Sequence, residues 1–310
     1  MMKSFPEWSQ ISVSPTLAAD LFHMTTKVPP HNDKELYNVA LQASVREQIR
    51  ATSPDGFDWL VEEIRTRLTK KPYCAHITGL RFDKSNLLFV ALSSAFGDVV
   101  EPYNQPWSQL VRSIQTSTDL LFKNQSVNER LHTDGTDWQK PNDLTCLLCV
   151  RPDQHGGGYS HLLDVETFVA ELRKSVGTEA LNIFYKEPIP WRIADELGGS
   201  VFWAPVFAEN SLRWSYYTID RVLQEGLAHL PKQILISITA MERRLKAASG
   251  VFELPMEASE LLIIHNKRCL HARTPVRDSK SSARLVLRIK VRRPENWSSI
   301  KIKKGQAWAY

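Results

Sequence analysis

The segment Leu131-His132-Thr133-Asp134-Gly135-Thr136-Asp137-Trp138 has the clearest capacity for chemistry. Side chains of an extended backbone alternate between faces, so His132 and Asp134 point the same way. An imidazole nitrogen and a carboxylate oxygen can then converge on one metal ion. Two histidines and one carboxylate on one face of an octahedron form a ligand set of non-haem iron, with three positions left for co-substrate and oxygen. With nine histidines in the chain such a triplet also arises by chance. Taken alone, it is better read as a surface turn in which Asp134 or Asp137 makes an Asx turn.

A second segment supplies what the first lacks. Residues 261–273, LLIIHNKRCLHAR, read as an apolar strand, a turn and the histidine His271. The run Arg284-Leu285-Val286-Leu287-Arg288 begins 13 residues later. There, alternation places Leu285, Leu287, Ile289 and Val291 on one face and Arg284 and Arg288 on the other. Arginines turned into a dry interior are costly unless they meet anions. Four residues of strand separate these two by about 13 Å, enough to serve two different carboxylates. His265 competes with His271 as the second histidine, but its place inside the strand and its distance from Arg284 make it the poorer ligand.

Other signatures are absent or bland. There is no GxSxG elbow and no HExxH. The glycine run 156–158 is followed by strand-like residues rather than a helix, so it reads as a turn and not as a phosphate loop. Cys146 and Cys149 lie within a strand-like run and would point to opposite faces, which suits buried apolar residues better than a metal or redox pair.

The elements that must position these residues differ along the chain. Residues 30–70 read as helical, with Asp33 placed to cap 36–48 and with Trp59, Ile64 and Leu68 at helical spacing after Pro54. Residues 73–77 read as a strand. Ser85 is placed to cap a helix carrying Leu87, Leu88, Val90, Ala91 and Leu92, which Gly97 ends. From about residue 110, short β-prone runs follow: 111–116, 144–150, 160–163, 201–207, 212–217, 260–265 and 284–291. Two helical inserts interrupt them. One is capped by Asp164 over 165–172. The other covers about 218–248, with Pro231 in the first turn of a new helix and Ile234, Leu235, Ile238, Met241 and Leu245 as its buried stripe. Strands so distributed argue against a doubly wound parallel sheet and for a mainly β, α+β protein with a jelly-roll or barrel-like core and helical insertions. No linker is visible, so a single domain over 1–310 is expected.

Composition is that of an ordinary globular chain: 310 residues, 43% hydrophobic, 24% charged, net charge +5. The N-terminus lacks the apolar run of a signal peptide and no stretch is long enough to span a bilayer, which makes the cytoplasm the default location. Charge is localised: Arg284, Arg288, Lys290, Arg292, Arg293, Lys301, Lys303 and Lys304 stand against Glu295 alone. A nucleic-acid patch would explain such an excess, but the segment carries only Trp297 as an interleaved aromatic and alternates like a core strand. No nucleic-acid or membrane partner is expected, and oligomeric state is not legible.

Residues 131–164 and 254–292 resemble Fe(II)/2-oxoglutarate-dependent dioxygenases of the taurine dioxygenase and clavaminate synthase type. Residues 73–100, strand then helix then Gly97-Asp98, are similar to the N-terminal part of that family. The resemblance implies a double-stranded β-helix core. It implies His132, Asp134 and His271 as iron ligands, Arg284 as partner of the distal carboxylate of 2-oxoglutarate, and Ser160 where the family usually has a threonine aiding that carboxylate. Arg288 matches an arginine that contacts an anionic substrate group, and Trp138 is a candidate pocket residue beside it, with Trp203, Arg213, Trp214 and Tyr216 as further ones. The implied reaction uses Fe(II), 2-oxoglutarate and O2 to hydroxylate, desaturate or cyclise a small carboxylate-bearing metabolite, an amino acid or a derivative of one. Departures from the family pattern, His265 and Lys267 around Asn266, Ser259-Glu260, and Ala272 after His271, touch no ligand position. The rival is a jelly-roll metal- or ligand-binding protein without dioxygenase activity.

Overall fold

In β6 (Leu144–Arg151) successive side chains enter two different cores. Leu144, Cys146 and Leu148 pack on one side and Cys149 on the other, so the two cysteines do face apart. The computed structural model describes residues 3–29, 31–32, 35–82, 84–100, 112–114, 129–193, 195, 198–208, 211–277 and 284–293. β6 lies inside a seven-stranded sheet in the order β2 (Gln10–Ser12), β3 (Cys74–Thr78), β13 (Leu261–His265), β6, β15 (Leu285–Arg292), β4 (Asp98–Val99), with β5 (Arg112–Ile114) also paired to β15. β13 has neighbours on both edges and cover on both faces, which is why Leu261, Leu262, Ile263 and Ile264 are all buried rather than alternating. Each such side chain contributes roughly 1.5–3 kcal/mol by leaving water.

The second sheet has four strands in the order β1 (Lys3–Ser4), β12 (Phe252–Leu254), β7 (Ser160–Asp164), β14 (Cys269–Arg273). Between the two sheets lies an apolar interior that includes Phe5, Cys149, Leu162, Met256, Leu262 and Val286. The outer face of the larger sheet is covered by α1 (Pro15–Thr25), α2 (Val39–Arg50), α3 (Pro54–Leu68) and α4 (Leu87–Ser94). The outer face of the smaller is covered by α5 (Val165–Lys186), kinked at Gly177, with α6 (Tyr216–Gln224) and α7 (Lys232–Lys246). Two further pairs, β8 (Ile189–Arg192) with β9 (Val201–Ala204) and β10 (Phe207–Ala208) with β11 (Ser211–Leu212), complete the helical side. The expected jelly-roll core with helical insertions is what these layers form.

Several local expectations are corrected. Asn38, not Asp33, caps α2: its Oδ1 accepts from the Ala40 and Leu41 amides at 2.9 and 3.2 Å. Asp33 lies outside the described residues. In α3 the buried stripe is Phe57, Leu60, Val61, Ile64 and Leu68, and Trp59 points outward. Ser85 accepts from the Leu87 amide, while the residue at the start of α4 is Asn86 in the left-handed region. The strand expected over 212–217 stops at Leu212, because Trp214 turns its backbone bonds to Thr133 and Tyr216 already opens α6. The helical insert over 218–248 does contain a second helix, α6 ending before Gly226, where φ is +67, but Pro231 precedes α7 rather than sitting in its first turn. α1, capped by Ser14, had no counterpart in the sequence reading. Asp164 caps α5 as expected, accepting from the Thr167 amide at 2.8 Å. Among the described residues no helix is long and apolar enough to cross a membrane.

Candidate metal centre

His132 lies outside the named strands yet pairs with β14: its amide donates to the His271 carbonyl and the His271 amide donates back, both at 2.9 Å. Residues that exchange both bonds across an antiparallel pair carry their side chains on the same face. The two imidazoles therefore stand side by side, ring centroids 4.5 Å apart. Asp134, two residues on, returns to that face. The candidate ligand atoms of His132, Asp134 and His271 lie within 4.8 Å of one another, and this is the group of three metal-ligating side chains found among the described residues. His271 Nε2 is 3.8 Å from Asp134 Oδ2.

The orientation of each side chain has a visible cause. The Arg130 carbonyl can only accept, so His132 Nδ1, 2.8 Å away, carries the proton and Nε2 is left as the lone-pair donor. Asp134 is gripped by its backbone: its amide donates to Asn266 Oδ1 at 2.7 Å and its carbonyl accepts from Asn266 Nδ2 at 3.0 Å. Asn266 Nδ2 also donates to the Asn142 carbonyl at 2.9 Å. Thr145, on the inward face of β6, donates to Asp134 Oδ2 at 2.7 Å. Arg288 Nη1 donates to Oδ1 at 3.1 Å, and Lys290 Nζ stands 3.8 Å from the same oxygen.

Electrostatics suit a divalent cation. Burial pushes the His132 pKa down, and burial with the neighbouring His132 pushes His271 down to about 3, so both imidazoles are neutral at ordinary pH. Burial opposes ionisation of Asp134, but Arg288 and Lys290 outweigh it and hold the carboxyl well below the usual range. Two neutral imidazoles and one carboxylate are the protonation states that metal binding requires. His271 Nδ1 is buried and makes no hydrogen bond. This donor set fits a single Fe(II).

The segment beyond Asp134 turns at Gly135, where a φ of +66 and the nearby Trp138 ring make any side chain strained. Arg213, expected as a pocket residue, clamps this loop instead: Nη1 donates to the Thr136 and Trp138 carbonyls at 2.5 and 2.6 Å. Trp138 offers its ring face to Lys290, 4.6 Å from the centroid. Trp214 is fully buried in the helical-side core, Trp203 is 45% exposed, and Tyr216 lies under the Arg130 guanidinium.

Arg284 is buried at the glycine turn, lining a cavity of about 250 Å³ with Gly157, Gly158, Met256 and Glu257 among others. A Cβ on Gly158 would fall 2.5 Å from Arg284 Cδ and Nε, so glycine lets the arginine pass. Ser160 is buried beside Met256, its Oγ 3.8 Å from the Met256 sulfur. The register shift between Leu285 and Val286 leaves the extra residue, Val150, in β6 and not in β15, and Arg284 lies beside Met256 of the interior between the sheets. Arg288 faces the metal-ligand cluster, and Arg284 is placed by the glycine turn. His265 sits at the end of β13, outside the cluster, where burial and then Arg293 and Arg268 hold it neutral. His161 pairs with Glu253 at 2.9 Å, as a hydrogen-bonded residue should. Lys301, Lys303 and Lys304 lie outside the described residues. Counting alone missed Thr145 and Lys290; Lys290 was findable, since it shares the inward face of Arg288 two residues on.

No family model matches the chain, and no curated protein matches it. Comparison with solved structures defines the fold: it is the jelly-roll fold of non-haem iron oxygenases. One similar structure is an asparagine oxygenase in complex with Fe(II), 3-hydroxyasparagine and succinate, with a TM-score of 0.72 at 13% identity, covering 91% of this chain and 93% of that one. Another is the non-heme iron oxygenase OrfP in complex with Fe and alpha-ketoglutaric acid, with a TM-score of 0.69 at 16% identity over 94% and 95%. The same oxygenase with Fe and L-Arg aligns with a TM-score of 0.66 at 16% identity over 95% and 98%.

Proposed function

We propose that this protein is an Fe(II)- and 2-oxoglutarate-dependent oxygenase acting on an unactivated C–H bond of a small carboxylate-bearing metabolite, an amino acid or a derivative of one. The observation that carries the reading is the main-chain pairing of His132 with His271, which sets two neutral imidazoles beside an ionised Asp134. The similar structures that hold Fe with succinate, alpha-ketoglutaric acid or an amino acid support it.

His132, Asp134 and His271 would hold Fe(II), which when bound couples oxidative decarboxylation of 2-oxoglutarate to succinate and CO2 with oxidation of the substrate by O2. Arg284 and Ser160 bind the distal carboxylate of 2-oxoglutarate, for which a bidentate guanidinium at a buried position is suited. Arg288 pairs with an anionic group of the substrate, and Trp138 forms an apolar wall stiffened by Lys290 across its ring. Thr145 and Asn266 keep Asp134 in place throughout. The protein is expected to work in the cytoplasm, without nucleic-acid partners.

The test is incubation with Fe(II), 2-oxoglutarate, O2 and a library of amino acids and related carboxylates, reading substrate-stimulated succinate and product masses. Succinate formation stimulated by a library member, with a product heavier by one oxygen or lighter by two hydrogens, supports the reading. No succinate under any condition leaves a binding protein with the same fold.

Two variants divide the anion sites. Arg288→Ala is expected to raise the substrate KM more than the 2-oxoglutarate KM, and Arg284→Ala to do the opposite; the reverse ranking removes the assignment. Gly158→Ala places a methyl against Arg284 and puts alanine at a φ of +66. It is expected to raise the 2-oxoglutarate KM while costing about 1–2 kcal/mol of stability, read by steady-state kinetics and urea unfolding. An unchanged KM would show that Arg284 is not at the 2-oxoglutarate site.

A further inference from the structure

Glu242 lies in the apolar stripe of α7, between Ile238 and Leu245, and is 5% exposed. A buried carboxylate forfeits its hydration and is kept only where cations or donors meet it. Its Oε1 makes no hydrogen bond. Lys246 Nζ, on an exposed side chain one turn along the helix, stands 3.8 Å away. Arg130 Nη1 stands 3.7 Å away and belongs to a different part of the chain.

That second partner leads to the metal centre. The carbonyl of Arg130 accepts the Nδ1 proton of His132 at 2.8 Å, the contact that aims the ring. The guanidinium of Arg130 is held between Glu242 and the ring of Tyr216, 5.1 Å from its centroid. The next residue after His132 is fixed from the same side: the Thr133 amide donates to the Trp214 carbonyl at 2.8 Å, and the Trp214 amide donates to Thr133 Oγ1 at 3.0 Å. Burial raises the Glu242 pKa, and Arg130 is the first of the groups that oppose it. This carboxylate of the helical layer thus reaches the metal-centre segment through Arg130, whose carbonyl accepts from the His132 ring.

We infer that Glu242 is a positioning residue for the metal centre, holding Arg130 from α7 so that the Arg130 carbonyl keeps His132 aimed at the ion. It touches neither metal nor substrate. This inference rests on His132 being a metal ligand.

The test uses Co(II) as a spectroscopic probe in place of iron, comparing Glu242→Gln, Arg130→Met and the double variant with wild type and with His132→Ala. Loss of an outer partner of a ligating histidine typically weakens metal binding 10- to 100-fold. Glu242→Gln is expected to weaken Co(II) binding about tenfold and to change the visible Co(II) absorption. Arg130→Met is expected to do likewise, with the double variant no weaker than either single one, as for two residues acting through one contact. A residue that only fills the core would lower the thermal midpoint and leave the affinity and absorption of the folded protein alone. Wild-type affinity and absorption in folded Glu242→Gln overturns the inference. If Glu242→Gln does not fold, Arg130→Met decides, since that side chain is 36% exposed and its loss is tolerable. If His132→Ala binds Co(II) as tightly as wild type, the metal-ligand reading itself has failed, an outcome distinct from a defect confined to Glu242.

Discussion

Replacing His132 with alanine is expected to abolish turnover and tight metal binding while leaving the fold in place. Only two protein ligands remain, and a third cannot be recruited: His265 lies outside the cluster, and the described residues offer no other group of three. The fold survives because His132 holds its position through its backbone amide and carbonyl, which alanine keeps. The unfolding free energy should fall by about 1–3 kcal/mol, because the ring's hydrogen bond to the Arg130 carbonyl is lost, a cost that the backbone pairing can absorb. Isothermal titration with Fe(II) under anaerobic conditions, succinate release and thermal unfolding measure the three quantities. Wild-type turnover in this variant would show the metal site to be misassigned.

The opposite pattern is expected for Asn266→Ala, where stability falls first and activity follows. Asn266 is fully buried, and its amide satisfies three main-chain groups: the Asp134 amide, the Asp134 carbonyl and the Asn142 carbonyl. Alanine leaves all three buried without a partner, at about 1–3 kcal/mol each, so a loss of at least about 3 kcal/mol is expected by urea unfolding. Metal affinity should fall as well, because the segment bearing Asp134 is no longer pinned. Asn266→Asp keeps the acceptor for the Asp134 amide but removes both donors and adds a carboxylate beside Asp134, so it should also destabilise. A loss under about 1 kcal/mol for Asn266→Ala would show that water replaces the side chain and that the grip on Asp134 lies elsewhere.

Much of the site is legible without coordinates because its chemistry is local. His132 and Asp134 share a face by period-two geometry, His271 follows an apolar strand, and Arg288 follows it by alternation. What is not legible depends on partners far along the chain. Nothing local to His132 says that its amide bonds with residue 271, nor that Asn266 reaches back to Asp134. The bulge at Val150 in β6, opposite Leu285 and Val286, is marked by neither residue type nor hydropathy. Arg213 and Trp214 read as pocket residues or strand from sequence alone; their roles depend on a loop far earlier in the chain, Arg213 on the Thr136 carbonyl and Trp214 on the Thr133 hydroxyl. Glu242 looks like an ordinary polar position on an amphipathic helix until the packing of α7 shows it inside.

The reciprocal main-chain bonds between His132 and His271 also bear on how such a site can change over time. Because backbone register, and not imidazole chemistry, brings the two positions together, either side chain can be exchanged for another donor without dismantling the pairing. The scaffold behaves as a socket: a lineage, or an engineer, can explore other ligand sets and other metals there while inheriting the same geometry.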